Sequence, residues 1–367
     1  MDWMHFEGED SLPSPMLVLH WERIETNLQR MLDCIGDAGR LRPHLKTHKL
    51  LEITRRQVAL GIHKSKVATV AEAEMAAEAG STDVLLAMQP VGPHTERFAR
   101  LIARYPETRF SALCDHPHAV DPLAQAASRS GVQAELLVDL NVGQNRTGIL
   151  PGEPAVALCQ QISSTAGLHF GGLHAYDGHL HQSDPEERRE ACESAFVPVW
   201  KTRDLLIAAG FPSPRIVAGG TPTFPFHARR TGVECSPGTT VLWDAGYATR
   251  FPDLDYLHAA VLLSRVVSIP TPDSVCLDLG YKALAAEMPH PRIVFPELPD
   301  ATARAHNEEH LVLQTSRAPE FEPGRLVYGI PWHVCPTVAL QSEVALVREG
   351  ALVEIATVSA RARRLTL

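Results

Sequence analysis

The sequence predicts an α/β protein: a (β/α)8 barrel of the TIM type followed by a C-terminal β-rich domain. Three observations predict it. Short β-prone runs alternate with longer helical patterns over roughly the first 230 residues, which is the rhythm of a parallel barrel. After Val233 the rhythm changes, and short apolar runs punctuated by Pro and Gly follow with few helical stretches between them. Unusual polar residues recur just after the expected strands, where a barrel carries its site. A doubly wound open sheet shares the alternation, because spacing alone does not report closure.

The expected barrel strands begin near Met16, Leu41, Ser65, Asp83, Arg109, Glu135, Leu168 and Arg215. Between them, Ile24, Leu28, Met31, Leu32 and Ile35 keep a helical period. Residues 70–79 are rich in Ala and Glu and stop at Gly80. Ser183-Asp184-Pro185-Glu186-Glu187 offers a cap, a first-turn proline and first-turn acids, and Gly210 is a suitable stop. In the second part, residues 261–269, 274–279, 311–313, 325–328 and 351–358 read as strands. The expected division is a barrel over 14–234 and a β-rich domain over 235–367, which residues 1–13 would join.

The chain has 367 residues, enough for a large barrel and a second module. It is 45% apolar and 21% charged, as an ordinary folded protein is. Its net charge of −9 argues against nucleic acid or an anionic membrane as a general partner. No stretch reaches the ~18 consecutive apolar residues of a membrane span. Met1-Asp2-Trp3-Met4-His5 lacks the pattern of a signal peptide. Seven widely spaced cysteines, an odd number, suit reduced thiols in the cytoplasm rather than a disulfide framework.

Arg42-Pro43-His44-Leu45-Lys46-Thr47-His48-Lys49 is the most informative stretch. A lysine crowded by cations at a strand end favours a neutral, nucleophilic amine, suited to attack on a carbonyl. Lys46 follows the expected second strand, Gln89 the fourth, and Asn145 and Arg146 the sixth. His174, Tyr176, His179 and His181 follow the seventh, and Gly219-Gly220-Thr221 the eighth. Bare amides and a hydroxyl in such a turn suit a phosphate, although a plain tight turn has the same composition. Arg146 suits an anionic oxygen or a surface ion pair. The histidines suit proton transfer or structural roles. His333 and Cys335, two apart in Pro331-Trp332-His333-Val334-Cys335-Pro336, face one side of an extended segment and suit a soft or borderline divalent ion. A packed histidine and a buried cysteine would look the same in sequence.

Together these segments resemble the D-threonine aldolase / D-serine dehydratase family, pyridoxal-phosphate enzymes of the alanine racemase-like fold type. The resemblance runs nearly end to end, and its most specific motif is residues 42–49. It implies that Lys46 bonds the cofactor, with His44, Arg146 and Tyr176 around it and Gly219, Gly220 and Thr221 at its phosphate. Arg146 would meet the phenolic oxygen. Glu234 and Pro237-Gly238-Thr239 resemble a further family turn, and Asp278-Leu279-Gly280-Tyr281-Lys282-Ala283 and Glu308-Glu309-His310 resemble family segments of the second domain. His333 and Cys335 would bind a divalent metal: zinc, or alternatively manganese or magnesium.

Two activities are implied. His-x-Cys resembles the zinc-dependent dehydratases, whereas Ala175-Tyr176-Asp177-Gly178 resembles the aldolases. The resemblance favours retro-aldol cleavage of a small β-hydroxy-D-amino acid to glycine and an aldehyde, with His179 or His181 as the hydroxyl base. Dehydration of D-serine or 3-hydroxy-D-aspartate to a keto acid and ammonia is the alternative, and racemisation a further one. A homodimer is expected by resemblance.

Overall fold

The computed structural model describes residues 2–367. Two compact units emerge. One comprises the chain up to Arg30, Thr47–Leu50 and Thr239–Arg361; the other comprises Met31–Lys46, Leu51–Gly238 and Ala362–Leu367.

The second of these holds seven parallel strands in chain order: Lys64–Val67, Asp83–Leu86, Arg109–Cys114, Ala134–Asp139, Leu168–Ala175, Ile216–Ala218 and Val233–Cys235. Their side chains are almost all buried, as expected of parallel strands covered by helices. Residues 41–44 join the two edges of this sheet. Leu41 bridges Cys235, His44 bridges Lys66, and Lys66 N donates to Pro43 O at 2.9 Å. The sheet thus curls into a barrel whose eighth place is taken by this segment. Pro43 has no N–H to donate, so the segment forms single bridges and not a ladder.

Two expectations need correction. Met16–His20 is a strand, but it lies between Ala260–Thr271 and Glu343–Arg348 in the other unit's sheet and is not a barrel strand. The last barrel strand is instead Val233–Cys235, which pairs Ile216 with Val233 and was hidden by its three-residue length and central Glu234. The helices follow their local signals. Trp21–Ile35, Val70–Glu78 and Pro185–Ala208 are helices where the Ile24–Ile35 period, the Ala/Glu composition and the Asp184 cap respectively placed them. Asp184 caps the last of these by accepting from the Glu186 and Glu187 amides at 2.9 Å each.

A charged network replaces apolar packing at the N-terminal end of the barrel. Arg42, fully buried, donates to Glu234 at 2.8 Å and to Asp83 at 2.9 Å. Lys64 also reaches Glu234, and Arg215 bridges Asp83 and Glu135. Burial disfavours both the Asp83 and Glu234 carboxylates, but Arg42 outweighs it and holds them below the usual range.

The other unit is built on a nine-stranded mixed sheet. Its main path runs Thr302–His306, Leu311–Gln314, Ser274–Leu277, Ala260–Thr271, Met16–His20, Glu343–Arg348 and Ala351–Thr357. Leu326–Pro331 pairs with Ala260–Thr271 and with Ile293–Val294. Met4, Phe6, Val18, Leu263, Tyr328 and Ala345 form part of its core. Among the described residues, no helix is long and apolar enough to cross a membrane.

Candidate active site

The C-terminal ends of the barrel strands surround a cavity of about 370 Å³. Lys46 enters it from a short helical turn, Leu45–Thr47, immediately after the segment that joins the sheet edges. His44 lines the cavity beside it, and the Lys46 amide approaches His44 Nδ1 at 3.4 Å. Arg146 comes from the loop after Ala134–Asp139, and Tyr176 from the end of Leu168–Ala175. The Tyr176 ring receives two cations, Arg146 at 5.0 Å and Lys66 at 5.4 Å from its centroid. Gln89 also lines the wall.

Lys66 is the residue that sequence reasoning passed over, and His174 is the one of the three expected histidines that lines this cavity. Lys66 is 2% exposed inside a strand, and no local pattern announces that its side chain points into the barrel. Burial, then the Lys46 cation, pulls its ammonium down to about 7. His174 donates or accepts at Asp139 Oδ1 through Nδ1 at 2.7 Å, and its Nε2 is buried without a partner. Both residues face the cavity.

The Gly219-Gly220-Thr221 turn follows Ile216–Ala218 and does not line that cavity. Gly219 has φ +76, and a Cβ there would meet the His227 ring at 2.6 Å; one on Gly220 would meet the Tyr176 ring at 3.0 Å. Gly219 therefore requires glycine, and at Gly220 a side chain would crowd the Tyr176 ring. Thr221 Oγ1 accepts from the Gly238 amide at 3.1 Å, tying this turn to residues 236–238. Ser236 Oγ is buried nearby in sequence without a partner. The Gly219 and Gly220 amides are already engaged by Ala175 O at 3.1 Å and Thr223 Oγ1 at 3.3 Å, so it is the orphaned, buried Ser236 hydroxyl beside this glycine turn that fits a phosphate-bearing aromatic cofactor attached at Lys46.

His181 is exposed, and His179 packs over Gly143; neither lines the cavity. Asp177 turns away instead. It accepts from Thr223 at 2.8 Å and pairs with His227 Nε2 at 2.7 Å, with Cys192 alongside. Among the described residues this buried trio is a group of donors close enough to hold a metal. Its donors are already spent on one another, and Arg230 donates to His227 Nδ1, so a cation would meet a guanidinium. The network instead fixes the Gly219–Thr223 turn.

In the other unit, His333 is the residue before helix Val334–Leu340, and Cys335 lies in its first turn. Their approach therefore comes from a helix start and not from strand alternation. Burial lowers the His333 pKa, but Cys335 and Glu287 outweigh it and raise it to about 9. Burial raises the Cys335 thiol, but His333 outweighs it and brings it down. Each group favours the charged form of the other, and the deprotonated pair is a donor set for zinc. Glu287 holds His333 Nδ1 at 2.5 Å, the carboxylate–histidine arrangement that orients a metal ligand. Buried Asp244 binds the Val334 amide at 2.9 Å and fixes the same helix start.

A parallel barrel with an amine-lined cavity at its strand ends, in a chain that also builds a mixed β-sheet, defines the alanine racemase-like class. Residues 19–242 match the family model "Alanine racemase, N-terminal domain", and residues 259–347 match "Putative serine dehydratase domain". The chain is 34% identical to a D-threonine aldolase of Arthrobacter over 95% of its length and 92% of the relative's. It is 30% identical to a D-threo-3-hydroxyaspartate dehydratase of Delftia, over 64% of this chain and 62% of that one. The crystal structure of D-threonine aldolase from Filomicrobium marinum superposes with a TM-score of 0.89 at 30% identity, covering 96% of each chain. The chain belongs to the D-threonine aldolase / D-serine dehydratase family.

Proposed function

We propose that this protein is a pyridoxal-phosphate- and divalent-metal-dependent lyase that cleaves a β-hydroxy-D-amino acid to glycine and an aldehyde. The observation that carries the reading is the Lys46 cavity, in a chain that matches a D-threonine aldolase almost end to end. When bound, the cofactor supplies an electron sink for the bond that breaks at Cα. Lys46 is the amine to which its aldehyde attaches. Arg146 offers a guanidinium to the phenolic oxygen, and His44 and Tyr176 shape the walls around the ring. The Gly219-Gly220-Thr221 turn, with the Thr221 and Ser236 hydroxyls, suits the phosphate.

His333 and Cys335 hold the metal in this reading. A thiolate and an imidazole favour zinc over manganese or magnesium, which prefer oxygen donors. The ion would acidify the β-hydroxyl. All seven cysteines are unpaired, which supports a reducing compartment such as the cytoplasm. The family resemblance supports a homodimer.

Dehydration is the second reading. It is favoured by the His-x-Cys pair, which lies inside the serine dehydratase match. Product analysis separates the two. Purified protein with pyridoxal phosphate and zinc is given D-threonine and D-serine, and glycine, acetaldehyde, ammonia and keto acid are assayed together. Glycine plus acetaldehyde from D-threonine is expected. Ammonia plus keto acid would establish the dehydratase, and no product from either substrate would sink both readings.

A further inference from the structure

We propose that Lys66 is the proton partner of Lys46: its amine takes the proton that Lys46 must lose before it can bond the cofactor aldehyde, and returns it to the oxygen that leaves as water. The inference rests on the reading above that Lys46 carries the cofactor.

Strand pairing places the two amines together. Lys66 bridges His44 as a parallel pair, its backbone N–H donates to Pro43 O at 2.9 Å, and Lys46 follows just beyond His44. Both side chains line the same cavity. On the other side Lys66 pairs in register with Leu85, which packs with Leu113, Leu137 and Val217 inside the barrel. An apolar residue would suit that layer, because a buried amine loses its hydration and needs a carboxylate to offset the loss. Lys66 makes no ion pair or hydrogen bond among the described residues; what it meets is the Tyr176 ring, 5.4 Å from Nζ to the centroid. Its Nζ is nevertheless not sealed off from solvent as His174 Nε2 is.

The surroundings leave that amine free to accept. Burial favours its neutral form most, Lys46 and Arg42 add like charge, and Asp177 and Asp139 work against them; the ammonium titrates at about 7. His44, Asp115, Arg146, His174 and Tyr176 complete the titratable and charged lining of the cavity. Asp139 is engaged by His174 and Thr147, and Asp115 by the Gly148 amide, which leaves Lys66 as the unengaged base beside Lys46.

The step balances without an oxidant or reductant. An ammonium has no lone pair with which to attack a carbonyl carbon, so Lys46 must first be neutral. The Lys66 lone pair takes one N–H proton from Lys46. Lys46 Nζ then bonds the aldehyde carbon, and the C=O bond breaks. The oxygen leaves as water with two protons, one from the Lys46 nitrogen and one from Lys66.

The test follows attachment and not turnover. Full-length apoprotein is mixed with pyridoxal phosphate, and the rate at which visible absorbance appears is measured across pH. The wild-type rate should fall as pH drops through about 7, because protonated Lys66 can accept nothing. Lys66→Met removes an unpaired buried amine and should fold. It should attach the cofactor about 10²-fold more slowly at neutral pH and lose that limb. Its equilibrium affinity should stay within about threefold of wild type, since a proton partner speeds attachment and release alike. Lys66→Arg keeps a cation that cannot give up its proton and should be as slow as Lys66→Met. A Lys66→Met rate within about threefold of wild type would overturn the proposal, as would an affinity that falls in step with the rate, which would mark a structural role. Recovery of the rate in Lys66→Arg would overturn it too, because charge alone would then suffice. So would borohydride reduction and peptide mapping that find the cofactor on Lys66. If neither variant folds, wild type decides: a limb near pH 7 supports the pair, and a flat rate through that range refutes it. Wild-type protein that gains no visible absorbance fails the cofactor reading itself, whereas unimpaired attachment in Lys66→Met fails the proton partner alone.

Discussion

Arg42→Met removes the central cation of the network at the N-terminal end of the barrel. Arg42 is fully buried and binds Glu234 at 2.8 Å and Asp83 at 2.9 Å. Breaking a buried ion pair from one side costs about 3–5 kcal/mol, because a charge is left without its partner. Here Glu234 keeps Lys64 and Asp83 keeps Arg215, so the loss should sit at the low end, ~3 kcal/mol. For a unit of this size that is a fall in Tm of roughly 6–12 °C, measured by circular dichroism at pH 7. The pH dependence has a definite sign. Asp83 and Glu234 are held below their usual values, so their stabilisation is full above about pH 4–5. It drains away as pH falls through the lower folded values. The Tm gap between wild type and variant should therefore narrow on acidification. A gap below about 1 kcal/mol at pH 7, or one that widens in acid, would refute the assignment of stability to this network.

Lys46→Ala should abolish the visible absorbance of the cofactor-loaded protein and its product formation together; a variant that keeps the absorbance would place the attachment elsewhere. Glu287→Ala should weaken zinc binding by about 10–100-fold in chelator competition, because His333 Nδ1 loses the carboxylate that orients it. An unchanged affinity would remove Glu287 from the metal site.

Local signals in this chain were readable because they act over a few residues. The 42–49 motif, the Asp184 cap and the Ile24–Ile35 helical stripe each announce themselves within about a dozen residues. The Gly219-Gly220 turn was legible as a backbone feature, and its two missing Cβ atoms are what His227 and Tyr176 require. His333 and Cys335 were legible as a donor pair, but their supporting Glu287 lies 46 residues away and carries no pattern of its own.

Where the sequence misled, the cause was a partner remote in the chain. Met16–His20 has the apolar run of a buried strand, and nothing within it tells a barrel neighbour from Ala260–Thr271, some 240 residues onward. Val233–Cys235 is too short to show a period, and only its register with Ile216–Ala218 makes it a strand. His174 was visible as one of three nearby histidines, but Asp139, 35 residues earlier, was not, and parallel pairing brings the two to 2.7 Å. The sequence by itself determined the alternating elements, the 42–49 motif and the family to which the chain belongs. Only the tertiary structure decided which strand joins which sheet, which polar side chains share the cavity, and which of the three histidines at 174, 179 and 181 lines it with Lys46. Helix and strand preferences arise from neighbouring residues along the chain, whereas register and burial are set by contacts between segments that the chain brings together only on folding.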